Sequence, residues 1–524
     1  MSVPVLWTKR RVAQLTGVAL IGAVQVLAAL TAALAGSRLL TTPHGDNANL
    51  LLALGGATMV LIAARVLQRR WAEHFALSYI AELRSAFMSH VLRVPVGARE
   101  MRTGLVMTRV VNDLSAIKLW LADGLVAIVV GAGILSTVGL LAVWFQPALL
   151  APLGLAVMVW SVPVAASLRP LERKVRESRR QRGRIAARAG QLLGARLSVL
   201  GLGRHGAAVR GLLRRSAKLN SALVSRATLS GVLRSSGDLV FPAVAFGLAG
   251  AAYFSTSTQM DAVQLGVLVM LSGIIAANLG AVALGLEYRL AHRVSLSRLE
   301  AVLQVPALEL DNGQRLRRRP KQSAGLSVQD LPLAVGETHV SFALHPSETA
   351  VLSGLSDCES ADLIFQLAGL KPIAGGVVRL GEQEGQCLRP RDWWRMITVV
   401  SPHLPMMVAS VEANAKMGAH SSISEEEQAR LFSAFGLTDH VLAQRVEATR
   451  PLPNPVAAGV RACRAILRRT PIILVDDPAL LESEKLLDAL IGEARARRVT
   501  LVMVGARELA RRFGLRSIDF TFKA

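Results

Sequence analysis

Six runs of apolar residues, at about 12–35, 49–66, 121–144, 147–167, 236–254 and 264–285, fill the first half of this chain. Each is close to the length needed to cross a bilayer. In hydrocarbon every backbone N–H and C=O must be satisfied within the segment, so runs of this length predict membrane helices. The outer connections are short: residues 36–48, the turn at Gln146–Pro147, and 255–263. The inner ones, 67–120 and 168–235, are long, rich in arginine and helical in period. They predict helices that continue past the membrane, since about 30 further residues reach about 45 Å.

The charge pattern fits this reading. The formal net charge is +23, and the arginines cluster at the ends of the apolar runs and between them. An even number of spans with basic inner loops places both termini in the cytoplasm of a bacterial-type inner membrane, the chain being multi-pass. MSVPVLWTKRR reads as a short cytoplasmic lead into the first span, not as a cleaved leader. Nucleic acid is excluded as a partner: aromatics make up only 4% of the chain, too few to stack bases. The basic surface suits the anionic headgroups of a lipid bilayer. Asp123, Asp238 and Glu287 are acidic residues near span ends. They can anchor helix ends or serve a ligand or ion. Cys358, Cys387 and Cys463 have no metal or disulfide spacing and read as small buried side chains.

Past residue 300 the pattern changes. NGQRLRRRPKQSAG has few apolar residues to bury and reads as a hinge, with Arg315–Arg319 as a solvated or lipid-facing patch. Beyond it, HVSFALH, TAVLSG, GVVRLG, MITVVS, PIILVDD, VTLVMVG and SIDFTF read as strands. DLIFQLAGL, SEEEQARLFSAFGL, GVRACRAILRR and LLDALIGEARARR read as helices. That alternation predicts an α/β domain. The divisions expected are 1–300 for the membrane domain, 301–328 for a linker and 329–524 for the α/β domain.

LSGLSDCESADLIFQLAGL, at Leu352–Leu370, has the frame of a strand, a phosphate loop and a helix, without the lysine that reaches a nucleotide's β and γ phosphates. PIILVDDP ends in Asp476 and Asp477. Six spans with two long inner connectors followed by one such domain resemble an exporter-type ABC transporter half-subunit. AFMSHVLRVPVGAREMRTGLVMTRVVNDLSAIKLWLADGL, with Arg102, Thr103, Gly104, Arg109, Asn112 and Asp113, is similar to the family's stretch entering the third span. There the resemblance implies a first coupling helix, and Arg109 and Asp113 are spaced to face each other on it. GARLSVLGLGRH, Gly194–His205, is similar to the segment after a second one. The resemblance implies a six-span helical membrane domain followed by an α/β nucleotide-binding-like domain.

The resemblance also assigns positions. Gly354 takes the first loop glycine, Asp357 and Glu359 later ones, Ser360 the lysine and Ala361 the magnesium-binding hydroxyl. Two carboxylates there would repel a polyphosphate. Val335 stands at the adenine-stacking aromatic, Pro402 at the glutamine, Leu452–Val456 at the signature loop and Ala506 at the switch histidine. Leu480–Ser483 stands at the turn after the carboxylate strand. Asp476 matches the magnesium-coordinating aspartate, and Asp477 stands where a general-base glutamate is usual. The scaffold around Asn414 and in RAILRRTPIILVDDP persists.

The expectation is therefore a degenerate nucleotide-binding domain, a pseudo-ATPase with no catalytic, cofactor-binding or metal residue and no cofactor. The chain would be a non-catalytic half-transporter, dimeric with a different ABC half-subunit that supplies any ATPase activity. The alternative is a membrane scaffold or regulator of an unrelated membrane complex, working without ATP hydrolysis. The apolar spans name no substrate.

Overall fold

A computed structural model describes residues 3–41, 48–96, 106, 113–145, 150–254, 262–310, 313–315, 323–333, 338–373, 375–447 and 452–520. Of the expected features, Arg102, Thr103, Gly104, Arg109, Asn112, Val335, residues 316–319 of the basic patch and the Gln146–Pro147 turn lie outside these residues, as do most of the other two outer connections. The chain divides into two compact units. One comprises Met1–Leu92 and Glu100–Val305, the other Arg93–Arg99 and Pro306–Ala524.

The first unit is helical. Its elements are α1 (Lys9–Thr41), α2 (Ala48–Val91), α3 (Leu114–Leu119), a π-helical turn (Trp120–Leu125), α4 (Val126–Phe145), α5 (Leu150–Gly194), α6 (Arg196–Gly201), α7 (His205–Ser235), a 3-10 turn (Ser236–Leu239), α8 (Val240–Phe254) and α9 (Ala262–Leu303). With 44 and 45 residues, α2 and α5 run about 66 Å, about twice the hydrocarbon thickness. The long inner extensions expected from the connectors are thus present. Leu52, Met59 and Val66 of α2 stay exposed, as suits a surface solvated by lipid or a partner. Phe75, Leu83, Phe87, Leu121 and Leu299 pack together where α2, the π-helical turn and α9 meet. Gly124 and Gly285 let backbones approach there: a Cβ on Gly285 would lie 2.8 Å from the Gly124 carbonyl oxygen.

Among the described residues, five helices are long and apolar enough to cross a membrane. The expected span at 236–254 is the exception. It starts with the 3-10 turn, and only the 15 residues of α8 follow as α-helix. The turn is closely packed: a Cβ on Gly237 would lie 2.7 Å from the Ala276 carbonyl oxygen.

The second unit holds two sheets. Strands β1 (Leu326–Pro332), β2 (His339–Leu344), β3 (Thr349–Ser353), β4 (Val377–Leu380), β5 (Gln383–Glu384), β6 (Ile397–Val400), β7 (Ile472–Val475), β8 (Thr500–Val504) and β9 (Arg516–Asp519) pair in the orders β2-β1-β4-β5 and β6-β7-β8-β3-β9. The second sheet is parallel, with Val351 beside Met503 and Val475 beside Met503 on the other flank. Its helices are α10 (Asp357–Leu367), α11 (Pro390–Trp393), α12 (Val411–Ala415), α13 (Glu425–Ala434), α14 (Asp439–Ala443), α15 (Asn454–Leu467), α16 (Pro478–Leu481), α17 (Glu484–Ala496) and α18 (Arg507–Arg512).

Parallel strands buried on both faces need continuous apolar runs, and IILV and TLVMV supply them. Alternation then divides the core. Val351, Ile473, Val475, Leu501 and Met503 pack with α15 and α17 residues such as Ile466 and Leu490. Leu352, Leu474, Val502 and Val504 pack with Leu363 of α10 and with Leu326 and Val378 of the antiparallel sheet. The seven expected strands all form, and β1 and β5 add to them.

Candidate functional site

At the C-terminal edge of the parallel sheet, β3 ends at Ser353 and Gly354 turns the chain with φ +89°. Ser356, in extended backbone, then caps α10. The cap is reciprocal: Glu359 N donates to Ser356 Oγ at 3.4 Å, and Ser356 N donates to Glu359 Oε2 at 2.9 Å. Ser356 Oγ donates to the same carboxylate at 2.6 Å, and Thr338 Oγ1 donates to its other oxygen at 2.9 Å. The Glu359 carboxylate thus folds back over the first turn of α10, where a helix N-terminus attracts an anion. The Ser356 hydrogen bonds hold its carboxyl below the usual carboxylate range. The expected repulsion is therefore partly met locally: Glu359 is bonded to three donors, while Asp357 is exposed.

Ser360, at the lysine position, is buried. Its hydroxyl lies 3.0 Å from the Asp357 carbonyl and 3.4 Å from Asp476 Oδ1. Burial raises the Asp476 carboxyl above its ordinary range, against the opposing pull of His403 and Ser360. Next to it, Asp477 is buried and ion-paired with Arg461 of α15, Nε to Oδ2 at 2.7 Å.

The other assigned positions are spread around this edge. Pro402 and Ser401 follow β6, and Pro402 is exposed. Asn414 ties the next loop, accepting from Met407 N at 2.8 Å and donating to the Met407 carbonyl at 2.9 Å. Leu452–Val456 is not a free loop beyond Pro453, because α15 starts at Asn454 and Pro455 falls in its first turn, where its missing N–H removes no helical bond. Ala506 precedes α18 in extended backbone. Leu480 and Leu481 end α16, and Ser483 precedes α17. Ser353 Oγ donates to Asp519, whose Oδ1 also pairs with Arg507 Nε at 2.6 Å, so the last strand is tied to the start of the loop.

Three groups here were not read as site residues in the sequence. The cap was legible, because Ser356-x-x-Glu359 is the spacing of a capping box. Arg461 is one of two arginines, with Arg464, in the largely apolar stretch GVRACRAIL, and the sequence does not say which of them meets a carboxylate. Thr338, far from the loop in sequence, carried no signal. The cysteines divide: Cys463 is buried, but Cys358 and Cys387 are exposed, at a helix start and in a short turn, contrary to expectation.

In the helical unit the span-end charges are paired or solvated. Asp123 pairs with Arg69, which also meets Glu73 at 2.9 Å. Glu287 is buried against Arg226 at 2.6 Å and accepts from Ser230. Asp238 is exposed in the 3-10 turn. Asp113 lies within 3.0 Å of Ser295 Oγ and 3.5 Å of Arg179 Nη1.

Comparison with known proteins bears on this site. Over 229 residues the chain is 26% identical to the mycobactin import ATP-binding/permease protein IrtB of Mycolicibacterium thermoresistibile, matching 41% of this chain and 39% of that protein. The chain thus spans about two fifths of the length of that curated relative. In fold it resembles a bacterial Atm1-family ABC exporter solved with ATP bound, with a TM-score of 0.80 and 15% identity over 95% of this chain and 91% of that one.

Both relatives are described as binding ATP, and that overturns part of the expectation. A non-catalytic half-transporter, a pseudo-ATPase with a degenerate domain, and the alternative scaffold without ATP hydrolysis do not hold. The physical reason is that a strand–loop–helix offers phosphate its backbone N–H groups and helix terminus, which the loss of side chains leaves in place. The family model for the ABC transporter transmembrane region matches residues 15–279, just over half of the chain. With its membrane helices and its α/β unit in the order of an exporter half-subunit, this multi-span membrane protein belongs to the ABC transporter family.

Proposed function

We propose that the chain is one half-subunit of a dimeric, ATP-driven ABC transporter of a bacterial inner membrane. The likeness over 95% of the chain to an exporter solved with ATP bound supports this reading most. Residues 1–300 serve as the membrane domain and 329–524 as the nucleotide-engaging domain, with 301–328 as the linker except where α9 runs on to Leu303 and β1 starts at Leu326.

The residues at the sheet edge fit a magnesium–nucleotide pair. Magnesium takes hard oxygen ligands, one or two from protein, with phosphates and water supplying the rest. The Asp476 carboxylate and the Ser360 hydroxyl, 3.4 Å apart, are such a set, with the hydroxyl one position earlier than the family's. The metal would neutralise phosphate charge that no lysine meets. The α10 N-terminus supplies the backbone donors, and Glu359 must swing off it for a phosphate to enter.

The test uses the intact complex in nanodiscs, with trinitrophenyl-ATP binding and vanadate-sensitive hydrolysis as readouts. Saturable binding and turnover that drops at least about tenfold in Asp476→Asn are expected. A complex that neither binds the nucleotide nor hydrolyses ATP would overturn the reading.

A further inference from the structure

In the helical unit an open cavity of about 630 Å³ lies among α1, α2, the π-helical turn, α4 and α9. Its size is that of a site for a drug-sized molecule. Gln25, Gln68, Arg65, Arg69, Asp123 and Asn278 line it, with apolar walls from Val126 and Val130. Polar groups in membrane-spanning helices are costly and are retained where they line a cavity or meet a ligand.

The charges do not cancel. Asp123 and Glu73 both pair with Arg69. Glu73 is shared with Lys118 at 2.9 Å. Gln25 is buried and donates to Gln68 at 2.6 Å, which fixes one amide pair in the wall. Arg65 stands one helical turn before Arg69, on the same face of α2. Among the described residues it has no ion-pair or hydrogen-bond partner. Of the three charged lining residues, Arg65, Arg69 and Asp123, the last two neutralise each other, so Arg65 leaves one positive charge facing the cavity.

We infer that this cavity binds an amphipathic organic anion, with Arg65 seating its negative group, the amides of Gln25, Gln68 and Asn278 meeting its polar atoms and the α4 valines its apolar part. The inference rests on the transport reading for the role of the bound anion as cargo. The same chemistry could come from a soluble solute or from an anionic lipid headgroup.

The experiment uses the full chain in nanodiscs, without nucleotide, and two fluorescent probes of similar shape. Dansylglycine carries a carboxylate and dansylamide does not; partition into empty nanodiscs is subtracted. In phosphatidylcholine nanodiscs, dansylglycine should bind saturably and about tenfold more tightly than dansylamide. Arg65→Ala should bring dansylglycine down to the dansylamide value, and Arg65→Lys should keep most of the preference. Unchanged binding in phosphatidylglycerol nanodiscs supports a soluble anion. Loss of binding there, dependent on Arg65, supports a headgroup in the same seat. Equal affinity for the two probes, or an Arg65→Ala protein that binds dansylglycine as before, would overturn the assignment. Because no ATP is present, failure here leaves the ATP-driven reading standing, and failure of ATP binding leaves the anion site standing.

Discussion

Arg461 Nε stands 2.7 Å from Asp477 Oδ2, and both side chains are buried. The pair joins the middle of α15 to the end of β7, so the helix that follows Leu452–Pro453 and the strand that carries Asp476 move together. Removing one partner of such a pair leaves a buried charge unmet, at a cost of about 3–5 kcal/mol. Arg461→Met should therefore lower the thermal midpoint of the full-length protein sharply, and Arg461→Met with Asp477→Asn should recover most of the loss. Equal midpoints for the single and double variants would show that the pair is not what holds α15 to β7.

Asp476 carries a stability cost that depends on pH. Its folded carboxyl is raised by burial above the ordinary value of 3.8. Between those two values the folded state holds more proton than the unfolded one, so stability falls as pH rises through that window, and the full penalty is present above it. Asp476→Asn should melt above the parent protein at neutral pH while losing turnover. The two melting curves should converge as pH drops to the ordinary carboxylate range. Melting scans from neutral pH down to about pH 4 check this; a gap that widens on acidification would refute it.

Glu359 offers the opposite sign. Ser356 holds its carboxyl below the usual range, so its contribution is present above that range and fades as pH falls through the lowered value. Glu359→Gln keeps a capping side chain but removes the charge. Nucleotide affinity should then rise by about two- to fivefold, the worth of one charge at a helix N-terminus. Glu359→Ala should instead cost up to about 1 kcal/mol of stability, because the reciprocal half of the capping box is lost while Ser356 still caps the helix. Titrations with trinitrophenyl-ATP on both variants read the effect, and weaker binding by Glu359→Gln would mean that the carboxylate helps the nucleotide.

The Gly124–Gly285 approach should tolerate no side chain. In Gly285→Ala the new Cβ would meet backbone at 2.8 Å and 3.1 Å, so α9 or the π-helical turn must shift. Overpacking of this kind costs about 1–3 kcal/mol. Gly273→Ala on the same helix meets nothing within 4 Å and serves as the control. Thermal midpoints in nanodiscs should separate the two; matching values would remove the packing argument.

How far the sequence could be read depended on the range of the interaction. The parallel strands were legible because IILV and TLVMV are continuous apolar runs. The strand LSVQDLP was not, for Asp330 adopts φ +50° and the pairing with β2 shifts register between Val328 and Leu331, which breaks the alternation. The 3-10 turn at Ser236 lies where Gly237 packs close to Ala276, about 40 positions on, and no local pattern announces that contact. At the site, residue types were legible but partners were not. Asp477 was read beside its neighbour in sequence, whereas its charge is met by Arg461 from a preceding helix.

Val96 N donates to the Leu370 carbonyl at 3.0 Å, and Leu308 N to the Arg93 carbonyl at 2.9 Å, so a short piece made early in synthesis belongs to the α/β unit completed last. Chains emerge N-terminus first and units fold as wholes. The segment around Arg93 must therefore wait, unsatisfied, while some two hundred residues of membrane helix are inserted. Biogenesis of this protein has a built-in order: the bilayer is threaded before the soluble body can close, and a ribosome stalled before Leu370 leaves that early piece without its backbone partner.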